Sequence, residues 1–381
     1  MDFSYTETQT MLRDTLARYL SDRYDHETRM KISRSEAGWS PQVWKAFAEE
    51  LGILGAPFAE ELGGLGGGAV ENMIVMEELG GRLVVEPYLS TVVVGGGFLR
   101  HAGGDAAGDL IGRIIAGDAV IAFAHAEPQG RYDLADLKTT ARKEGGAYVL
   151  NGHKAVVRDA PHATHLLVTA RTGGGQRDRE GVSLFLIEKG AKGIAARDYP
   201  TVDGGRASEI YFENASLPAD ALLGAEGGAL PLVERVVDEA SVALCAEACG
   251  VMRQIHAQTI DYAKQRKQFG RAIADFQVLQ HRMVDMFMEV EQSVSMTLMA
   301  TLKLDEADAE RMKSASAAKS RIGKACKFVG QSAIQIHGGM GMTDELAVGH
   351  YFKRATMIEG QFGSVDHHLA RYERLSFAEA A

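Results

Sequence analysis

The chain has 381 residues, a formal net charge of −10 and 46% hydrophobic residues, with 8 prolines, 43 glycines and 3 cysteines. That apolar share supports a sizeable core and excludes wholesale disorder, while the acidic balance argues against a general nucleic-acid binder, which needs a basic face. Three cysteines do not make a disulfide framework. No apolar run reaches the roughly 18 residues of a membrane span. The polar start MDFSYTETQT lacks the basic and apolar regions of a signal peptide, so a cytoplasmic protein without membrane contact is expected.

Length predicts two or three domains. Residues 1–118 read as mainly helical. Phe3, Thr10, Leu12, Leu16 and Leu20 give a loose helical stripe, and Ser40-Pro41 signals the start of an amphipathic run through Trp44, Phe47 and Leu51. A glycine-rich loop at 63–68 precedes an apolar helix from Asn72 to Leu79. Residues 119–225 carry short β-rich runs at 147–150, 165–170, 182–187 and 209–212. Turn signals separate them, at Asn151-Gly152, at 173–175 and at 203–205. Strands with no helices between them predict an antiparallel barrel or sandwich rather than a Rossmann sheet.

From 226 to 381 the helical period dominates, and no proline follows position 231. Leu244, Ala248, Val251, Ile255, Gln258 and Tyr262 form one stripe, and Phe276, Leu279, Met283, Met286 and Val290 a second. Ile322, Cys326, Val329, Ala333 and Ile336 form a third, so three long helices in series predict an up-and-down bundle. Met283, Met286 and Met288 are expected in the core, as are Cys245 and Cys249, one helical turn apart.

The glycine loop follows no strand, so it is not a dinucleotide fingerprint. His367 and His368 are adjacent, which on a helix points them apart, and the region lacks further ligands, so no metal is expected. Two segments stand out. The first is YAKQRKQFGRAIADFQVLQHRMVDM, from Tyr262 to Met286. It reads either as a solvated interhelical turn or as an anion site, with Arg266 forked onto a phosphate and helix amides following Gly270. The second, QIHGGMG from Gln335, ends a helix with paired glycines, either as a C-cap or to admit close backbone approach.

These segments resemble the acyl-CoA dehydrogenase family, and the likeness covers nearly the whole chain. The opening stretch, LGILGAPFAEELGGLGGG, LFLIEKGAKGI, LPADALLG, RKQFG with FQVLQH, and QIHGGMGM match in order. Within the family, residues 119–225 and the ending GHYFKRATMIEGQFGSVDHHLAR are most similar to small subunits of pimeloyl-CoA dehydrogenase. The resemblance implies a mainly α, α+β fold: an N-terminal helical domain (1–118), a middle antiparallel β-barrel (119–225) and a C-terminal four-helix bundle (226–381). It implies FAD, an acyl-CoA substrate, an electron-transfer flavoprotein as acceptor, and four subunits arranged as a pair of dimers. By the same likeness, Arg266 and Phe269 contact the FAD diphosphate with help from Gln277. Gln335, Gly338 and Gly339 reach a neighbouring subunit's FAD, and Gln268, Gln280 and Gln361 complete the expected cofactor-binding set.

Dehydrogenation of a saturated thioester removes an α proton and a β hydride, so the site needs a flavin acceptor and a carboxylate over the α carbon. In many family members that base is the glutamate of a Tyr-Glu-Gly run twelve residues before an arginine. Glu359-Gly360 stands twelve before Arg371, with Ile358 in place of the tyrosine, so Glu359 is the expected base and Asp238, Glu239 and Glu247 are reserves. The flavin-ring pattern departs from the family. Ala126 replaces a threonine, Gly130, Arg131 and Tyr132 replace much of a loop, and Val156 and Arg158 follow Lys154 where an aromatic and a threonine are usual. A barrel that grips the ring poorly implies an α2β2 heterotetramer with a homologous partner, with a homotetramer as the other assembly. Arg131 and Arg158 are candidate partners for an acid-terminated acyl chain. A non-catalytic partner subunit remains an open reading. A nucleic-acid-associated member would need a basic C-terminal extension, which the ending LSFAEAA does not supply.

Overall fold

The computed structural model describes residues 4–380. Phe3, of the first predicted stripe, lies outside them. In chain order the elements are α1 Glu7–Arg23, α2 His26–Arg34, α3 Pro41–Glu49, α4 Ala69–Arg82, α5 Gly96–Ala102 and α6 Asp105–Ile115. Eight strands follow: β1 Ile121–Ala124, β2 Thr140–Glu144, β3 Ala147–Arg158, β4 His165–Arg171, β5 Val182–Glu188, β6 Ile194–Pro200, β7 Arg206–Leu217 and β8 Leu222–Leu223. The chain then returns to helix with α7 Leu230–Gln265, a hairpin of β9 Lys267–Gln268 and β10 Arg271–Ala272, α8 Gln277–Leu302, α9 Asp308–His337, α10 Ala347–Gly360 and α11 Val365–Ala380. They fall into two compact units. One combines the segment up to Lys31 with Gly68–Val84 and everything from Asp238. The other is Ile32–Gly67 with Val85–Val237.

In the first unit α9 is the central helix and packs against α8, α10 and α11. Its predicted stripe of Ile322, Cys326, Val329, Ala333 and Ile336 is buried throughout, and each such aliphatic side chain contributes about 1.5–3 kcal/mol by leaving water. Leu244, Ala248, Val251 and Ile255 of α7 and Met283, Met286 and Val290 of α8 are buried as predicted, but Met288 is half exposed. Met288 lies two residues beyond Met286, about 200° round the helix, so it falls on the outer side of α8. Cys245, Cys249 and Cys326 are unpaired and buried. Burial pushes the thiols of Cys245 and Cys326 up to about 12, so they pack as small apolar groups. Near the N-terminus, Thr6 and Gln9 form a reciprocal capping box on α1, which packs on α4 through Leu16 and Leu20.

Charges buried between the helices were not foreseen from sequence. Asp238 on α7 accepts from Arg371 of α11 at 2.5 and 3.1 Å and from Arg311 of α9 at 3.4 Å. Glu247, two turns further along α7, takes a forked pair of bonds from Arg354 of α10 at 2.5 and 2.7 Å. Each carboxylate fixes the register of α7 against its neighbours.

The second unit holds an eight-stranded sheet in the order β6-β7-β3-β2-β4-β5-β8, with β1 also on β4. The predicted runs all lie in strands, but the sheet is mixed rather than wholly antiparallel: β1 and β2 both run parallel to β4. The helical start at Ser40 holds, its Oγ accepting from the Val43 amide at 3.2 Å. Asn151-Gly152 is not a turn. It lies inside β3 at a register shift opposite β7, and a Cβ on Gly152 would collide with Thr139. Among the described residues no helix is long and apolar enough to cross a membrane.

Removing one partner of a buried ion pair strands the other charge. Glu247→Ala is expected to destabilise the chain by about 3–5 kcal/mol, read as a lower urea midpoint than wild type, whereas Glu289→Ala, at the half-exposed pair with Arg321, should cost under about 1 kcal/mol.

Candidate cofactor and catalytic site

At the end of α7 the Arg266 amide still bonds back to the Tyr262 carbonyl at 2.8 Å, and the chain then makes the β9–β10 hairpin. Its two central residues, Phe269 and Gly270, have φ of +53° and +79°, the signature of a type I′ turn. Glycine adopts that conformation without strain, but a phenylalanine there costs about 1–2 kcal/mol. The strained residue gains little burial in return, because Phe269 is 92% exposed. Behind it, Phe276 meets its edge at 6.1 Å and carries the Arg271 guanidinium 4.1 Å above its own face. Phe269 thus combines a left-handed backbone with a solvent-facing aromatic ring.

Arg266 and Gln277 are exposed beside this turn. Gln277 opens α8, whose first turn has no side-chain cap, so its amides and the positive end of the helix face outward. The helix begins seven residues after Gly270, later than the sequence suggested, because Ile273–Asp275 first make a 3₁₀ turn. Gln268 and Gln280 are already engaged locally, their side-chain amides donating to the carbonyls of Lys267 at 2.7 Å and Ala274 at 2.9 Å.

The second motif comes to the same end of the helices. The His337 ring stacks on Tyr262 with centroids 4.3 Å apart, and the Tyr262 hydroxyl donates to the His337 carbonyl at 3.3 Å. The His337 Nδ1–H donates to the Ala333 carbonyl at 2.9 Å, which fixes the ring. Gln335 is exposed one turn earlier. Gly338 closes α9 with φ of +60°, so the C-cap reading holds for it. Gly339 has no positive φ, and a Cβ on it would meet nothing within 4 Å. Nothing inside this chain requires glycine there, and the open space suits a group from outside.

Glu359 is the penultimate residue of α10. Its Oε1 accepts from the Val365 amide at the start of α11 at 2.9 Å. No hydrogen bond joins it to the hairpin residues. Two residues on, Gln361 has a buried Oε1 with no partner. Of the reserve carboxylates, Asp238 and Glu247 are locked in the arginine pairs described above, and Glu239 is buried on α7. His368 is turned into the interior while His367 stays partly exposed, although their rings meet edge to face at 5.1 Å. Among the described residues no group of three metal-ligating side chains comes together.

In the other unit, Lys154 is fully buried and its Nζ donates to Glu127 at 2.7 Å, to the His125 carbonyl at 3.1 Å and to Thr169 at 3.3 Å. Burial alone would raise the Glu127 carboxyl, but the Lys154 charge and hydrogen bonds from Lys154, Gln129 and the Lys138 amide hold it down at about 2. Burial, reinforced by Lys154, likewise takes His125 down to about 3, so its ring is neutral. This pair welds β3 to the segment carrying Ala126 and escaped the sequence reading. Its only signal was a lysine amid the apolar run of β3. Val156 is half exposed with φ of +52°. Arg158 is committed to Asp203 at 3.2 Å, while its Nη1 is buried without a partner. Arg131 is exposed, with φ of +48°. No hydroxyl stands at 126, 156 or 158 to meet a flavin ring.

Three family models match the chain in order: acyl-CoA dehydrogenase N-terminal domain over residues 6–107, middle domain over 122–215 and C-terminal domain over 230–373. The probable acyl-CoA dehydrogenase YngJ of Bacillus subtilis is 28% identical, the alignment covering 94% of this chain and 95% of the relative. Among solved structures, the FAD complex of PigA superposes with a TM-score of 0.91 at 26% identity over all of both chains. A chain of the ChsE4–ChsE5 complex from Mycobacterium tuberculosis superposes with a TM-score of 0.88 at 26% identity, covering 100% of this chain and 99% of that one.

Phe269→Gly separates stability from binding at the hairpin. Relief of the left-handed strain should leave stability unchanged or raised by up to about 1 kcal/mol, while FAD retention after gel filtration falls. A variant that loses stability and keeps FAD would contradict this. At Glu127 the folded-state carboxyl titrates near 2 against an ordinary 4.5. Its stabilising contribution is therefore complete above pH 4.5 and is lost as pH falls toward 2. The gap in urea midpoint between wild type and Glu127→Gln should accordingly narrow between pH 5 and pH 3.

Proposed function

Since the chain belongs to the acyl-CoA dehydrogenase family, we propose that it is one subunit of an α2β2 enzyme that converts an acyl-CoA thioester to its trans-2-enoyl product. The observation that carries the cofactor part is the convergence of Arg266, Phe269 and Gln277 with Gln335, Gly338 and Gly339 through the Tyr262–His337 stack. The residues fit the tail of FAD: a guanidinium, uncapped helix amides and an exposed ring suit its diphosphate, and Gln335 with the open-sided Gly338 and Gly339 reaches the FAD of a neighbouring subunit. Gln361, with its unpartnered oxygen, belongs to the same set, and Gln268 and Gln280 shape the hairpin rather than reach outward. We assign the domains as 1–118, 119–225 and 226–381.

Bound FAD supplies the acceptor for the β hydride. Glu359 receives the α proton. Its Oε1 stays on the Val365 amide, which leaves Oε2 to take the proton and orients the carboxylate while it does so. Asp238 and Glu247 cannot substitute, because protonating either would strand a buried arginine.

The absence of hydroxyls at Ala126, Val156 and Arg158 supports a heteromer in which a homologous partner cradles the flavin ring and this chain supplies the tail site. The ChsE4–ChsE5 complex is a two-chain relative of the same fold. An electron-transfer flavoprotein takes the electrons, and three unpaired cysteines suit a reducing cytoplasm. Pimeloyl, other dicarboxylyl, long-chain and steroid side-chain thioesters are all candidate acyl groups, and an acid-terminated one needs a cation. Arg131 is the exposed cation for its terminal carboxylate, since Asp203 already neutralises Arg158. The same missing ring contacts also favour a second reading, a structural subunit whose partner does the chemistry.

Expressed alone, the chain should be flavin-poor or unstable, and co-expression with its partner should give fewer FADs than subunits. A yellow, active homotetramer from single-gene expression overturns the heteromer. In the assembled complex Glu359→Gln is expected to lower turnover about 10²–10⁴-fold, and unchanged turnover would leave the structural-subunit reading standing.

A further inference from the structure

The turn between α10 and α11 is bent in an unusual way. Phe362 and Gly363 both have positive φ, +59° and +128°, and a Cβ on Gly363 would run into the His368 ring about 2.5 Å away. Such a turn persists only where its surroundings over-determine it. Three of its carbonyl oxygens are held from neighbouring helices. Lys319 of α9, 1% exposed, donates from Nζ to the Glu359 carbonyl at 2.9 Å and to the Gly363 carbonyl at 2.7 Å. His368 Nε2 bonds the Phe362 carbonyl between them at 3.2 Å. Burial first, and then the Lys319 charge, takes His368 down to about 2, so the ring is neutral and its Nε2–H is the donor.

Lys319 stands where an apolar residue would suffice. It shares its helix stripe with Ala315, Ile322 and Cys326, all buried. A buried ammonium costs several kcal/mol unless it is bonded, and burial duly lowers its pKa. Its bonds on this turn go to the backbone of Glu359 itself and of Gly363, two residues before the Val365 amide to which the Glu359 carboxylate is tied.

We propose that Lys319 is a positioning residue for the dehydrogenation: by clamping the Glu359 and Gly363 carbonyls it fixes the α10–α11 turn and, through it, the direction of the Glu359 carboxylate. The inference rests on Glu359 being the base. Lys319 touches no reacting atom. It acts on geometry, where a displacement of about 1 Å can cost about 10²-fold in rate.

The test uses the assembled, FAD-loaded complex. Lys319→Met keeps the length and apolar stem but removes the donors. It should lower kcat about 10²-fold while KM for the thioester and the FAD content stay within about twofold, since neither substrate binding nor the hairpin is altered. Amide hydrogen exchange at residues 360–365 should quicken by about tenfold, with α9 unchanged. Lys319→Gln restores N–H donors without charge and should recover most of the turnover. Lys319→Met with kcat within threefold and unchanged exchange at 360–365 overturns the inference. If protection is lost uniformly, Lys319→Gln carries the test, and loss of turnover with 360–365 still protected overturns it. Glu359→Gln in parallel separates the two ideas: full activity there defeats the base assignment, whereas an inactive Glu359→Gln beside a fully active Lys319→Met defeats only the clamp.

Discussion

The buried Asp238 carboxylate is the constraint on which the helical unit depends. It collects Arg371 from α11 and Arg311 from α9 onto α7, so three helices share one charge cluster in a water-poor interior. Apolar stripes let helices slide and rotate at small cost, but a buried carboxylate with two arginines tolerates one register. Glu247 and Arg354 repeat the device between α7 and α10. The hairpin after α7, the glycines after α9 and the turn before α11 are thereby all held by the same framework.

Strain sits at the positions to which function is assigned. Phe269 holds a left-handed backbone while exposing its ring, and Phe362 and Gly363 bend the turn after Glu359. The two are supported differently. The hairpin is backed by an aromatic and a cation–π contact at its base, which leaves its outer face open. The turn is held from inside by Lys319 and His368, and the Glu359 carboxylate is tied to the Val365 amide. In the sheet unit, the buried Lys154–Glu127 pair holds the segment next to Ala126 in place although the hydroxyls that would meet a flavin ring are gone.

Much of this was legible in the sequence. The helical stripe of α9 follows from a 3.6-residue period and is buried throughout, whereas Gln258 and Tyr262 of the first stripe and Phe276 and Leu279 of the second are only partly buried, and the β-rich runs all became strands. RKQFG and QIHGG stood out as runs of polar residues and glycines between helices, and the family resemblance gave them their reading as FAD motifs. Asn151-Gly152 misled because a local turn signal was overridden by pairing with β7 on one side and the nearness of Thr139 on the other. Met288 misled because spacing within one helix does not say how wide the buried face is.

By itself the sequence determined the three-part order of helices, strands and helices and the family, since these depend on local periodicity and short contiguous runs. Only the tertiary structure decided which carboxylates are committed. Arginines more than a hundred residues away, Arg371 and Arg354, hold Asp238 and Glu247, while the Val365 amide holds Glu359. It also decided that Lys319, a charge on an apolar stripe, serves the turn after α10. Hydrogen bonds between distant segments carry no local pattern, because they are set by which helices touch rather than by which residues adjoin.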